Sequence, residues 1–363
     1  MRHFLRTALL AIDALLIVLF VAGYLAYYVR PTVIWWFELI AVFLPYLALL
    51  ILATGVLLLA AGRWRLAALH GELILLMLVR MNPFDRLEGD RIAATDTLSV
   101  LSFNVPRWWG YEMPAKTVEM SRFVQRTDPD VIGLQEADVV YHTEVPYVRA
   151  APYVAILYDS LGYYTIGQES TGATWTPQPV LSKHRVVRQQ EFKLSPSPRD
   201  TSYTYVTRTQ IRWNGRPFAL YNVHLRTFGE KKPWRDERMP YFALGNLLPY
   251  LRQYRDAYRV RAWEVEEIVK MVEQEELPVV LCGDLNSTPN NWVHGRLTDV
   301  LRDAFGEEGT GWGMTYHSRL PVVRIDYVFV SKEWDVLSAR VLDAQLSDHL
   351  PLLVELRLKP DEE

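Results

Sequence analysis

The sequence predicts an α/β (α+β) domain preceded by a helical transmembrane region. Two observations carry this reading. The 363 residues are 50% hydrophobic and 22% charged, as in an ordinary globular protein, but residues 1–91 hold only 8 of the 39 Lys and Arg and 6 of the 42 Asp and Glu. From Thr97 onward, long apolar runs give way to short ones bounded by turn residues, the pattern of strands interleaved with helices. The chain after position 91 carries 31 basic and 36 acidic side chains, a net of −5, and is long enough for one sizeable core. This distribution argues against disorder, a coiled coil and a wholly soluble protein. The single cysteine, Cys282, excludes an intramolecular disulfide framework and a multi-cysteine zinc site. The expected layout is 1–81 as two or three membrane helices, 82–96 as a linker, and 97–363 as one domain.

Each element follows in order. Between Arg6 and Arg30 the only charge is Asp13, and this first apolar run ends in Tyr24, Tyr27 and Tyr28, as a water interface favours. Between Arg30 and Arg63 the only charge is Glu38. A span needs roughly 20 apolar residues, so both runs suffice, and the second, Val33–Ala61, is expected to span despite Pro45. Leu66–Val79 is shorter than an ordinary span and contains His70 and Glu72. It spans only if Arg65 and Arg80 snorkel, and is otherwise interfacial or re-entrant. Asp13, Glu38 and Glu72 are expected in the bundle interior or near an interface. The first run exceeds the usual signal-peptide core of about 7–15 residues, which favours an anchor. Arginine placement puts the N-terminus in the cytoplasm; three spans then put the C-terminal domain on the extracytoplasmic face and two leave it inside, and the extracytoplasmic face is the favoured reading.

In the C-terminal part, TLSVLSFNV, DVIGLQ, PFALYNVHL, LPVVLCGDL, RIDYVFVS and PLLVELRL read as strands. Pro114–Thr127 and Arg261–Glu276 read as helices, the latter from Val265, Ile268, Val269 and Val272 at helical spacing. Thr171–Pro179 and Ser195–Arg199 read as surface loops, and Cys282 as core. Most strands end in polar residues: Asn104, Glu136, His224, Asp284 with Asn286, Asp326, and Asp348 with His349. Any one of these is ordinarily a turn cap or a satisfied buried group. Together, at strand ends where α/β folds bind ligands, they point to a site.

The words SFNV, DPDVIGLQE, NVHL, GDLNSTP, RIDYVFVS and SDHLPL, in this order from Leu98 to Leu358, resemble the endonuclease/exonuclease/phosphatase superfamily, which cleaves phosphodiesters or phosphomonoesters with Mg²⁺. The resemblance implies a four-layer α-β-β-α sandwich of two packed mixed sheets. It implies Mg²⁺, with Mn²⁺ as the alternative, held by Glu136 with Asn104 beside it and Asp348 as a further ligand. It implies Asp284 as the base for the attacking water and Asn286 as a donor to the developing phosphorane. His349, paired with Asp326, and His224 would sit at the phosphate. Thr315 and Tyr316 resemble the family's Thr-aromatic pair, with core packing the other reading. PVLSKHRVV departs from the family's strand at Pro177–Pro179.

The long connection between His224 and Asp284 includes MPYFALGNLLPYLRQYRDAY, in which Arg252, Arg255 and Arg259 share a helical face. From Arg226 to Arg261 there are 9 basic and 4 acidic residues. An amphipathic basic helix can lie on anionic lipid, which makes these arginines candidate substrate-binding residues. The alternative is a helix packed on the domain with a solvated arginine face. Short spans ahead of this domain, with RLPVVRIDY, also resemble membrane-anchored members of the family that act on cell-envelope lipid phosphates. Three functions follow: a membrane-anchored phosphohydrolase for a lipid-linked phosphate or pyrophosphate, a membrane-tethered nuclease, and a non-catalytic binding protein. The net charge of −5 disfavours nucleic acid, although Trp108 and Trp109 can stack on bases. No protein partner is evident.

Overall fold

Pro45 decides how the N-terminal run folds. In a computed structural model of the protein, the described residues are 2–81, 96–105, 114–137, 139–141, 149–150, 157, 160–164, 174–195, 204–229, 244–316 and 322–360. The helices α1 (Arg2–Leu25), α2 (Trp35–Ala41), α3 (Leu44–Ala60) and α4 (Trp64–Met81) form in chain order. Pro45 lies in the first turn of α3, where its missing N–H has no intrahelical partner to lose. It therefore starts a helix, and Val33–Ala61 is not the continuous span expected: α2 and α3 meet at a 66° bend. Among the described residues no single helix is long and apolar enough to cross a membrane, while the bent pair α2–α3 passes by length and composition.

The chain divides into two compact units. One comprises 1–87, 228–262 and 287–295, and the other 88–227, 263–286 and 296–363. Two segments that the sequence layout placed in the C-terminal domain thus cluster with the N-terminal helices. In the first unit Phe20, Leu44, Ile51, Leu73 and Met77 are buried together. Glu38 is fully buried, and Asp13 meets the buried His70 at 2.9 Å, as expected of interior charges. Glu72 is exposed. Of the 29 large hydrophobic side chains exposed among the described residues, 23 lie between Leu10 and Val79. The expected linker, 82–96, lies outside the described residues except for Asp96.

The second unit is built on β-sheet. Its strands are β1 (Leu98–Asn104), β2 (Val131–Gln135), β3 (Val139–Tyr141), β4 (Arg149–Ala150), β5 (Thr174–Thr176), β6 (Val180–Ser182) and β7 (Arg185–Leu194). They continue with β8 (Thr204–Trp213), β9 (Arg216–His224), β10 (Val279–Asp284), β11 (Arg302–Asp303), β12 (Asp326–Val330), β13 (Trp334–Val341) and β14 (Leu352–Leu358). One mixed sheet runs β13-β14-β1-β2-β6 and the other β11-β12-β10-β9-β8-β7, with a small sheet β4-β3-β5. All six expected strands form. Alternation assigns their faces. Leu98 and Val100 of β1, Leu352, Val354 and Leu356 of β14, Val280 and Cys282 of β10, and Val328 and Val330 of β12 share one core between the sheets. Leu101 and Phe103 point the other way, onto Met120, Phe123 and Val124 of the helix Pro114–Thr127.

Differences from the sequence reading have physical causes. β7, β8 and β13 escape notice because polar residues alternate along them, and β7 and β13 are edge strands. Thr174–Thr176, expected in a loop, pairs as β5 with β3. The helix expected over Arg261–Glu276 is the end of a longer one, Leu244–Glu273, which carries Pro249 near its start. Its end packs on the outer face of the second sheet through Glu264 to Thr204 at 2.5 Å.

Candidate functional site

Strand register gathers the predicted site residues. β10 runs parallel to β9 and antiparallel to β12, so Asp284 is paired with His224 on one side and Asp326 on the other. Gly283 permits this: its φ is +145°, and a Cβ there would collide with the Val223 carbonyl of β9. In the other sheet β1 and β2 are parallel, with Asn104 level with Gln135 and Glu136 next in the chain.

Asp284 is the hub and is almost wholly buried. Its Oδ2 accepts from Asn104 Nδ2 at 3.0 Å, and its Oδ1 from the Asn286 backbone N–H at 2.7 Å. His224 Nε2 lies 3.5 Å and His349 Nε2 3.8 Å from Asp284 Oδ2. Burial and the neighbouring Asp326 charge raise the Asp284 pKa against the pull of His349 and His224. His349 Nδ1 is bound to Asp326 Oδ2 at 2.9 Å, which leaves Nε2 turned toward Asp284. Burial alone would lower the His349 pKa, but Asp326, Asp284 and Asp348 outweigh it and bring it up to about 9. The ring is therefore an imidazolium at neutral pH.

Two residues hold strained backbone here. Glu136 and Asn286 have φ of +59° and +49°, uncommon for residues other than glycine and typical of functional sites. Asn286 is fixed further by Nδ2 donating to the Leu225 carbonyl at 3.0 Å. Glu136 is half-exposed, its Oε1 4.0 Å from His224 Nε2. Among the described residues, Asp284, Asp326 and His349 could hold a metal ion, with ligand atoms all within 4.8 Å of one another. Glu136 and Asp348, the expected metal carboxylates, fall outside that group. Arg252, Arg255 and Arg259 belong to the other compact unit, on the helix Leu244–Glu273. Arg252 and Arg259 are exposed, and Arg255 pairs with Asp256 at 2.8 Å. Trp108 and Trp109 lie outside the described residues.

Supporting residues complete the site. Thr315 Oγ1 accepts from the N–H groups of Ile325 and Asp326, both at 3.2 Å, and the Tyr316 ring packs against His349 at 4.9 Å. Both residues thus lie against Asp326 and His349, and Thr315 is also fully buried. Sequence reasoning missed Gln135 and Asn222, whose side chains join between the sheets at 2.7 Å. Asn222 also donates to the Leu134 carbonyl at 2.8 Å, tying β9 to β2 beneath the strand ends that carry Glu136 and His224. The available signal was a polar residue inside an otherwise apolar strand. Cys282 is core as expected, its thiol pushed up to about 12 by burial.

The profile of the Endonuclease/Exonuclease/phosphatase family matches residues 101–349. No curated protein sequence matches the chain. Solved structures do. An endonuclease/exonuclease/phosphatase family protein from Leptotrichia buccalis is 18% identical, with a TM-score of 0.50 over 72% of this chain and 100% of its own. One from Bacteroides thetaiotaomicron is 19% identical, with a TM-score of 0.50 over 73% and 98%. D. rerio TDP2, complexed with single-strand DNA product, is 14% identical, with a TM-score of 0.50 over 72% and 99%. At these identities the likeness is one of fold.

Proposed function

The chain belongs to the endonuclease/exonuclease/phosphatase family, and on that premise we propose that it is a membrane-anchored, Mg²⁺-dependent phosphohydrolase acting on a lipid-linked phosphate or pyrophosphate. The observation that carries the chemistry is the buried carboxylate Asp284 flanked by two imidazoles and bonded to the Asn286 N–H. A carboxylate with a raised pKa is a better base, so Asp284 takes the proton of the attacking water. The His349 imidazolium, its other nitrogen held by Asp326, donates from Nε2 to the phosphoryl oxygens. His224 and the Asn286 amide add donors as charge develops on those oxygens.

Asn104 and Glu136 fit a hard cation. The Asn104 amide nitrogen is committed to Asp284, which leaves its oxygen for an ion, and Glu136 offers a half-exposed carboxylate. Mg²⁺ takes few protein oxygens and keeps several waters, so these two groups suffice, and Asp348, whose charge acts on His349, is proposed as an outer ligand. When bound, the ion neutralises phosphate charge and acts as a Lewis acid. The Asp284-Asp326-His349 trio suits proton handling better than ion binding, because Asp326 already engages His349 Nδ1.

Membrane attachment draws on the 23 apolar side chains facing outward between Leu10 and Val79, far beyond what a water-facing surface carries. Arg252 and Arg259, with the exposed Leu247 and Leu248 on the same helix, suit an anionic interface and are assigned to the substrate head group. The extracytoplasmic face is proposed for the catalytic unit, on an N-terminus in the cytoplasm and three crossings of the membrane. A nuclease reading is favoured by the DNA product in the D. rerio structure. The test uses the full chain in mild detergent with Mg²⁺ or EDTA, offered a polyprenyl pyrophosphate, a phosphoinositide, sphingomyelin and duplex and single-stranded DNA. Metal-dependent turnover of a lipid phosphate is expected. DNA turnover alone would replace the first reading with the second, and no turnover would leave a binding role.

A further inference from the structure

We infer that Glu38 is a positioning residue for the reaction, acting through the segment Ser287–Gly295 on the catalytic turn Asp284–Asn286. The inference rests on the phosphohydrolase reading of that turn. The second compact unit ends this stretch at Asn286, and the very next residue opens a short strap that belongs to the first unit. Within the first unit the strap is tied at several points. Ser287 Oγ accepts from Arg261 Nη1 at 3.0 Å. Asn290 Oδ1 accepts from Arg80 Nη2 at 2.6 Å. Asn291 Nδ2 donates to the Glu38 backbone carbonyl at 2.9 Å, and the Trp292 N–H donates to Glu38 Oε1 at 3.1 Å. Glu38 thus holds the strap with both its main chain and its side chain.

The chemistry of these ties is costly for a mere tether. Glu38 is a fully buried carboxyl in an otherwise apolar run, with Oε1 bonded to the Trp292 N–H. Arg261 is also fully buried, its guanidinium against the rings of Phe228 and Tyr258 at 4.3 and 4.5 Å. The strap is stiff within itself, since Asn291 Oδ1 accepts from both the N–H and the hydroxyl of Thr288 at 2.7 Å.

Asn286 explains why such a strap is useful. Its backbone is left-handed, a conformation that asparagine adopts more readily than most residues, and its hydrogen bonds to Asp284 and Leu225 fix it there. On one side Leu225 and Asp284 hold it, and on the other its chain enters the strap. Slackening the strap lets Asn286 relax toward ordinary backbone, which withdraws its N–H from Asp284 and misplaces its amide donor. Misplacements on the order of 1 Å can cost about 10²-fold in turnover.

The test uses the full chain in detergent, with bis(4-nitrophenyl) phosphate, 4-nitrophenyl phosphate and Mg²⁺ as probes. Glu38→Ala should lower kcat about tenfold or more with KM within about twofold. Glu38→Gln, which keeps an oxygen for the Trp292 N–H, should restore most of it. Arg80→Met cuts the Asn290 tie, together with the Arg80 bond to the Tyr24 carbonyl and its contacts with the Tyr24 and Tyr27 rings, but leaves both Glu38 ties in place. It should give a smaller kcat loss, which keeps the inference testable if Glu38→Ala does not fold. Amide hydrogen exchange should quicken over residues 285–292 while Val280–Cys282 inside β10 stay protected. Wild-type kcat and exchange in both Glu38→Ala and Arg80→Met would overturn the inference, as would quickened exchange throughout β10. If the wild type turns over neither probe, the phosphohydrolase reading fails, and the exchange data alone decide whether the strap holds the turn.

Discussion

His349 and Asp284 are buried side by side, with Nε2 of the one 3.8 Å from Oδ2 of the other. The charges of Asp326, Asp284 and Asp348 outweigh burial and keep His349 protonated, while burial and the Asp326 charge raise the Asp284 pKa. Removing either should cost roughly 10²-fold or more in kcat, the order typical of general-base and electrostatic deletions. Steady-state hydrolysis by Asp284→Asn and His349→Ala checks this, and near-normal turnover in either would reject its role. At this scale the sequence was most informative. Asn104, His224, Asp284, Asn286, Asp326 and His349, each ordinary alone, come together in one group. What residue identity did not reveal was the hydrogen-bond hierarchy. Asn104 binds Asp284, and the strained backbone of Glu136 and Asn286 follows from chain path rather than residue type.

Elements set the site's geometry through register. Asp284 sits between His224 and Asp326 only because β9, β10 and β12 are in step, and Gly283 lets β9 approach closely enough. Gly283→Ala must push β9 and β10 apart and should cost about 3 kcal/mol or more. A lowered Tm together with lost turnover is the expected pair of readouts. A second prediction concerns how the chain just past the long helix is held to β8 and β9. Arg208 Nε and Nη2 bind Glu275 at 2.6 and 3.0 Å, and the Tyr221 hydroxyl donates to it at 2.8 Å. Burial raises the Glu275 pKa, but Arg208 and Tyr221 outweigh it and hold it below its ordinary 4.5. A depressed folded-state value means the stabilisation is full above the unfolded value and lost as pH falls through the folded one. Glu275→Gln should therefore cost about 2 kcal/mol at neutral pH, with the Tm difference from wild type shrinking under acid. The six apolar strands were legible from their runs, whereas β7, β8 and β13 were not, because half-buried and edge strands lack such runs.

For the whole molecule, the opening contrast between an apolar first quarter and a charge-balanced remainder takes a different form. The apolar residues face outward on α1, α3 and α4, and the second run is broken at Pro45. On the membrane reading, the full chain should stay in the pellet after alkaline carbonate extraction and be released by detergent. Recovery in the carbonate supernatant would sink that reading. The units do not follow the boundary that composition draws, since 228–262 and 287–295 join the N-terminal helices. By itself the sequence determined the family, the strands with continuous apolar runs and the polar residues at their ends. These are local patterns, and the order of the words that carry them is what the family resemblance rests on. Only tertiary structure decided the register that makes Asp284 the hub, the joining of Gln135 to Asn222 between sheets, and the hold of Glu38 on the strap after Asn286. Each depends on contacts between residues distant in the chain, where one buried hydrogen bond selects among placements that composition and periodicity leave equivalent.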